Sequence, residues 1–266
     1  MIDSHCHLTF HKFESDVDDV IARAEEAGIK AMINVGTQIS SSTEVVLLAE
    51  KHASVYASVG VHPHHADKVQ ENWIEELRRL TEHKKVIAIG ECGMDFFSYV
   101  SNGIVDPKLQ EKVFRAQIEL SIEKGLPLQI HNRQAGEKVI EILGDYKNDL
   151  SSKPGVFHCF AGSFEILDCA LDLGFYIGFD GNVTYPGLAP GETTALSDLA
   201  IRTPIERMLI ETDSPYLTPI PYRGQRNEPK NVIIIGTYIA SLKNVSLLEI
   251  TEAVAKNFNE LFKISI

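Results

Sequence analysis

The chain has 266 residues, 44% hydrophobic and 23% charged. That balance excludes a disordered or fibrous protein, and the length lets one α/β barrel bury its own core without disulfides. With 25 basic against 37 acidic residues the formal charge is −12, so the bare surface repels polyanions unless bound cations reverse the field locally. The four cysteines, Cys6, Cys92, Cys159 and Cys169, show no CxxC spacing, which fits a reducing cytoplasm. The start, MIDSHCHL, has no basic segment and no long apolar run, so no secretory leader is expected. No run of about 18 apolar residues predicts a membrane span.

Eight short apolar runs follow one another: 1–5, 31–36, 55–61, 86–91, 127–131, 155–160, 175–179 and 208–212. Several are nearly continuous in β-branched and large apolar residues, as strands covered on both faces should be. The intervals carry helical patterns. Residues 14–27 place Val17, Val20, Ile21, Ala24 and Ala27 on one stripe, and residues 71–83 carry Trp73, Ile74, Leu77 and Leu80. Residues 107–124 open with Pro107 and align Leu109, Val113, Ala116, Gln117 and Leu120. A last pattern, 246–262, runs through Ile250, Val254 and Phe258. Eight strands, each followed by helix, predict a (β/α)8 TIM barrel, one domain over 1–266 with an extra C-terminal helix. An open doubly wound sheet is the alternative, but it wants a glycine-rich turn after its first strand, and DSHCHL has none. The least regular stretches, 92–106 and 212–230, fall on the C-terminal rim, where barrel loops carry chemistry.

Polar residues collect at the strand ends. In a strand, residues two apart share a face. His5 and His7 therefore point the same way, and Cys6 points toward the helices. By the same parity Cys92 and Cys159 read as small buried apolar residues, and Cys169 as helix packing. Other strands end in Glu91, His131, His158 and the Glu211–Asp213 pair. Barrel closure would gather four histidines and at least two carboxylates over one cavity, the mixed nitrogen and oxygen set of hydrolytic metal sites. Charged groups in such an apolar setting cost several kcal/mol unless paired or metal-bound.

Six ligands exceed the need of one tetrahedral ion and suit two divalent ions, drawn from Mg, Mn, Zn, Co or Ni, with Glu91 as the bridge. His5, His7, Glu91 and Asp213 are assigned to the first, and Glu91, His131 and His158 to the second. A water shared with the pair becomes the nucleophile, and Asp213 can orient it or take its proton. Asp3 and Glu211 sit deeper and are expected to orient histidines. Arg133, two past His131, could reach an anionic oxygen, and Arg223, Arg226 and Lys230 lie in the loop after the last strand. Tyr216, Tyr222, Phe96 and Phe97 could stack on an exposed base. In VHPHHA, His62 is the histidine expected to face the cavity, with a substrate contact and a loop-capping role equally open to it, while His64 and His65 read as loop residues.

The pieces DSHCH at 3–7, GVHPH at 60–64, GECGMDFF at 90–97, IHNRQA at 130–135, FHCFAG at 157–162, ETDSPYL at 211–217 and RGQRNEP at 223–229 together resemble the TatD family of metal-dependent deoxyribonucleases. This family lies among the amidohydrolase-like barrels. The resemblance implies one or two divalent ions on His5, His7, Glu91, His131, His158 and Asp213. It implies hydrolysis of DNA phosphodiesters, often as a magnesium- or manganese-supported exonuclease on single-stranded ends. A 3′–5′ direction and action on RNA as well are the finer expectations. Departures from the family pattern are Gln134, Asp180 and the GMDFF segment, which bear on substrate preference rather than on the ligands. Two other readings compete: a metal-dependent amide, ester or lactone hydrolase, and a nucleic-acid or partner-binding barrel that keeps a structural ion. The first often relies on a carboxylated lysine, and no lysine stands at a suitable strand end.

Overall fold

The computed structural model describes residues 1–100 and 103–266. Its centre is an eight-stranded parallel sheet in sequence order: β1 (Ile2–Cys6), β2 (Ala31–Val35), β3 (Val55–Val59), β4 (Val86–Asp95), β5 (Leu128–Arg133), β6 (Gly155–Phe157), β7 (Tyr176–Phe179) and β8 (Met208–Ile210). Around it run α1 (Val17–Glu26), α2 (Ile39–Lys51), α3 (Trp73–Leu80), α4 (Pro107–Lys124), α5 (Gly136–Asp145), α6 (Phe164–Asp172), α7 (Leu196–Arg202) and α8 (Val232–Lys243), with α9 (Leu247–Phe262) as the extra C-terminal helix. This is the expected (β/α)8 architecture. The strands are buried almost throughout, which explains their continuous apolar reading. Among the described residues no single helix is long and apolar enough to cross a membrane.

The seam between first and last strands is made by the segment just beyond β8. The Asp213 amide donates to His5 O (2.9 Å) and the His7 amide to Ser214 O (2.7 Å). Asp3 reinforces it, accepting from the Thr212 amide (2.9 Å) and hydroxyl (2.6 Å). It meets His5 only at the backbone amide, at 3.3 Å. Asp3 is therefore a fastener of the seam, not the histidine-orienting group expected.

Two register irregularities fall where the chemistry lies. Between Asp3 and Cys6, β1 advances three residues while β2 advances two, and between Ile89 and Cys92, β4 does the same against β5. Such bulges re-aim side chains, and here they carry His5 and Glu91. The strand β4 also runs on to Asp95, so the first part of the stretch 92–106 is regular, contrary to expectation. Residues 101 and 102 of that stretch lie outside the described residues.

Helix α4 begins and ends as its sequence dictates. The Asp106 side chain accepts from the Lys108 amide, Pro107 occupies the first turn, and Gly125 closes the helix at φ 63°. Its two buried glutamines grip backbone near the site. Gln117 accepts from the Val61 amide (2.7 Å) and donates to Val61 O (3.0 Å). Gln110 pairs in the same two-sided way with the amide and carbonyl of Asp95, at 2.8 and 2.9 Å. The helix thus fixes the segments bearing His62 and Asp95.

Gly93 has φ 140°, and a β-carbon there would lie 2.0 Å from His131 O. Gly93→Ala is expected to cost about 3 kcal/mol through overpacking, read as a lower urea midpoint. Gly144→Ala, in open space near the end of α5, should be neutral or stabilising by about 0.5 kcal/mol. Equal midpoints for the two variants would contradict this account of β4 and β5.

Candidate metal centre

The histidine tautomers follow from their outer partners. His5 Nδ1 lies 2.7 Å from Gln129 Oε1, and the amide orientation is set by Gln129 Nε2 donating to Ser4 O at 3.2 Å. His7 Nδ1 faces Val35 O at 2.9 Å. Both outer atoms accept, so both Nδ1 atoms carry the proton and both Nε2 atoms present lone pairs. Those Nε2 atoms lie 3.3 Å apart. They also face Glu91 Oε2, at 3.7 Å from His5 and 3.5 Å from His7, and His7 Nε2 lies 3.3 Å from Asp213 Oδ1.

The other side of Glu91 repeats the pattern. His131 Nε2 donates to Asp95 Oδ2 at 3.0 Å, leaving Nδ1 as a lone pair 2.9 Å from Glu91 Oε1. His158 Nδ1 faces Glu211 Oε1 at 3.2 Å, and its Nε2 lies 3.2 Å from Glu91 Oε1. Glu211 is in turn held by the Ser4 hydroxyl (3.2 Å) and the Cys159 amide (2.5 Å). The His5 and His158 rings stack at 3.7 Å. Each carboxylate oxygen of Glu91 therefore belongs to a different pair of imidazoles.

Converging lone pairs and carboxylate oxygens in a buried space require positive charge between them. Protons supply some of it. Burial opposes charge on Glu91, yet the surrounding imidazoles, His158 and His131 among them, hold its carboxyl well below the usual range. Burial likewise opposes protonation of His158, His131 and His7, but Glu91 with Glu211, Asp95 with Glu91, and Asp213 with Glu91, respectively, raise all three. Burial, then His158, lowers His5. The donor atoms of His5, His7 and Asp213, and those of Glu91, His131 and His158, lie within 4.8 Å of one another in each group. Nitrogen and oxygen donors so placed, with protons turned outward, fit divalent cations.

The remaining predicted residues divide. His62 Nδ1 accepts from the His64 amide at 3.1 Å, so its Nε2 carries the proton and points at Glu91 Oε1 from 3.6 Å. Burial, with His131, keeps it neutral, well below the usual imidazole value. It is a donor aimed into the centre. His64, expected to be a loop residue, instead puts Nε2 3.1 Å from Asp95 Oδ2. Arg133 reaches the same cluster: it donates to Tyr99 Oη (2.9 Å), which donates to Asp95 Oδ2 (3.0 Å), and its guanidinium lies 4.2 Å from the Phe97 ring centre. Arg223 stacks on Tyr185 at 4.0 Å. Arg226 is not gathered to the centre. It is fastened to Asp16 by contacts of 2.8 and 2.7 Å and to Glu228 at 3.1 Å, and Lys230 pairs with Glu228 at 3.4 Å.

Three neighbours add detail. Asp180 is buried, and burial, then Asp213 and Glu211, push its carboxyl up to about 8, so at neutral pH it is mostly an uncharged acid. Gln134 turns outward and donates to Pro190 O at 3.3 Å. Cys6 and Cys92 are buried as expected, Cys159 is half-buried, and Cys169 is exposed rather than packed. Sequence reasoning passed over Asp95 and Gln129. Both carry the parity of a predicted ligand, Asp95 four after Glu91 and Gln129 two before His131, and that signal would have found them.

A (β/α)8 barrel with histidines and acids gathered at its mouth defines a metal-dependent hydrolase of the amidohydrolase-like class. The family model described as "TatD related DNase" matches residues 2–263, and the chain belongs to the TatD family. It is 35% identical over 266 residues to the uncharacterized metal-dependent hydrolase YabD of Bacillus subtilis, covering 100% of both chains. It is 36% identical over 267 residues to the 3′-5′ ssDNA/RNA exonuclease TatD of Pantoea ananatis, covering 98% of this chain and 99% of that one. Among solved structures, the TatD homologue YJJV of Escherichia coli K12 superposes with a TM-score of 0.88 at 29% identity, covering 99% of this chain and 98% of its own.

Because His7, His131 and His158 hold protons above the ordinary imidazole value, a cation must displace them. Mn2+ affinity, measured by calorimetry, is expected to rise from pH 6 to pH 8 with fewer protons released at the higher pH. A pH-independent affinity would contradict the ligand set.

Proposed function

We propose that the protein is a phosphodiesterase that removes nucleotides from single-stranded DNA ends, in the 3′–5′ direction, with RNA as a second substrate. The observation that carries this reading is Glu91, whose two oxygens each face a separate imidazole pair. Two ions, of the Mg, Mn, Zn, Co or Ni kind, would be held by His5, His7, Glu91 and Asp213 on one side and Glu91, His131 and His158 on the other. When bound, they supply a water acidified toward neutral pH and charge stabilisation for the phosphoryl oxygens. Asp213, pulled down against burial by His7, is the base that orients the water and accepts its proton. His62 Nε2–H donates to a phosphoryl oxygen, and Arg133 and Arg223 draw the strand in from the rim.

Several features favour phosphate over a carbonyl substrate. Arg133 offers a guanidinium beside the centre, and the strands β1 to β8 contain no lysine to be carboxylated. The exonuclease named among the relatives agrees with this chemistry.

An end-labelled single-stranded oligonucleotide should be shortened with Mg2+ or Mn2+ and spared with chelator. Glu91→Ala and Asp213→Ala should lower turnover by about 100-fold or more while circular dichroism stays unchanged. Intact oligonucleotide under every metal, alongside turnover of an ester, amide or lactone panel, would overturn the proposal.

A further inference from the structure

We infer that Tyr216, backed by Phe10 and covered by Lys12, is a stacking subsite for a nucleobase next to the cleaved phosphodiester; this rests on the nuclease reading above. The starting observation is a run of rings leading out of the metal centre. Phe10 stacks on His7 at 4.4 Å with the planes 12° apart, and Tyr216 meets Phe10 edge-on at 6.1 Å and 70°. Tyr216 is thus one ring beyond a residue that touches a ligand histidine. It is 41% exposed, so a face of it remains available to a ligand.

The ring is held on rigid backbone. The Tyr216 amide donates to Asp213 O at 2.9 Å. The buried Asn227 side chain donates to both Thr212 O (2.8 Å) and Tyr216 O (2.7 Å), and Asn231 Nδ2 donates to Asn227 Oδ1 at 2.8 Å. One amide therefore sets the position of Tyr216 relative to Asp213. A platform fixed in this way loses little entropy when a flat ligand settles on it.

The cation beside it is movable. Lys12 Nζ lies 4.5 Å from the Tyr216 ring centre. Among the described residues it has no carboxylate partner, unlike Arg226 close by, which is tied to Asp16. A lysine over an exposed tyrosine is a modest cation–π contact. A base can displace the ammonium from the ring, and a flexible four-carbon stem can then carry it to the adjoining phosphate. Ring, second ring and mobile cation are the elements that sequence-tolerant single-strand sites combine. Their place on the β1 and β8 side, opposite Arg133 and Tyr99 on the β4 and β5 side, lets a strand cross the mouth with its phosphate over Glu91.

The test compares two short oligonucleotides in Mn2+, one with ordinary thymines and one whose bases are replaced by tetrahydrofuran abasic analogues. The wild-type protein should show a KM about 10-fold or more lower for the base-bearing strand. Tyr216→Ala should bring the two KM values together, and Tyr216→Phe should restore the difference, which separates stacking from misfolding. Lys12→Ala should raise KM for both strands and reduce the slope of log KM against log salt by about 0.7, the value for one single-strand phosphate contact. Cleavage of both strands by Tyr216→Ala with the wild-type KM ratio would overturn this inference alone. Cleavage of neither strand by the wild-type protein would overturn the nuclease reading, and the subsite with it.

Discussion

A carboxylate and four imidazoles cannot share a buried site without positive charge among them, and the structure is organised around meeting that demand at Glu91. An uncompensated buried charge costs several kcal/mol, so the surroundings leave little to chance. Gln129, the Val35 carbonyl and Asp95 each occupy the outer nitrogen of one histidine, and Glu211 lies 3.2 Å from that of His158. By doing so they turn the inner nitrogens into acceptors. The arrangement is destabilising by itself and becomes favourable only with protons or metal ions in place, which is how a binding site is written into a folded chain.

The rim obeys a different logic. Arg226 and Arg23 grip Glu228 and Asp16 in one network that ties the loop after β8 to the start of α1. On sequence, RGQRNEPK looks like a row of cations available to a polyanion. In the fold, its acidic member and Asp16 neutralise much of that row. The loop is then held still, which matters because Asn227 within it fixes the turn carrying Asp213. With a formal charge of −12, the protein relies on a few local cations and the metal centre to attract phosphate.

Much of this was legible in the sequence because barrel strands are buried on both faces and their polar ends stand out. His5, His7, Glu91, His131, His158 and Asp213 were each visible as a polar residue closing an apolar run, and the structure brings all six together. Helix 107–124 was readable to its ends because Pro107 and Gly125 mark them, whereas α1, whose start no side-chain cap marks, and α3 are shorter than their stripes. Asp95 escaped because the bulge at Gly90 and Glu91 disguises how far β4 continues. The pairing of Arg226 with Asp16 was not legible because it spans a distance in sequence that only the folded chain closes. His64 was passed over because its partner was.

The seam carries a thermodynamic consequence. Bonds joining β1 to the chain beyond β8 come from His5, His7 and Asp213 themselves, so the residues that close the cylinder are also those that would grasp an ion. An ion held at the centre would work as a rivet across this join of the sheet. Local opening in proteins begins where few bonds hold, and a cation bound there couples cofactor affinity to the mechanical integrity of the whole cylinder. Loss of the ion would then loosen the hoop at one place before the staves come apart.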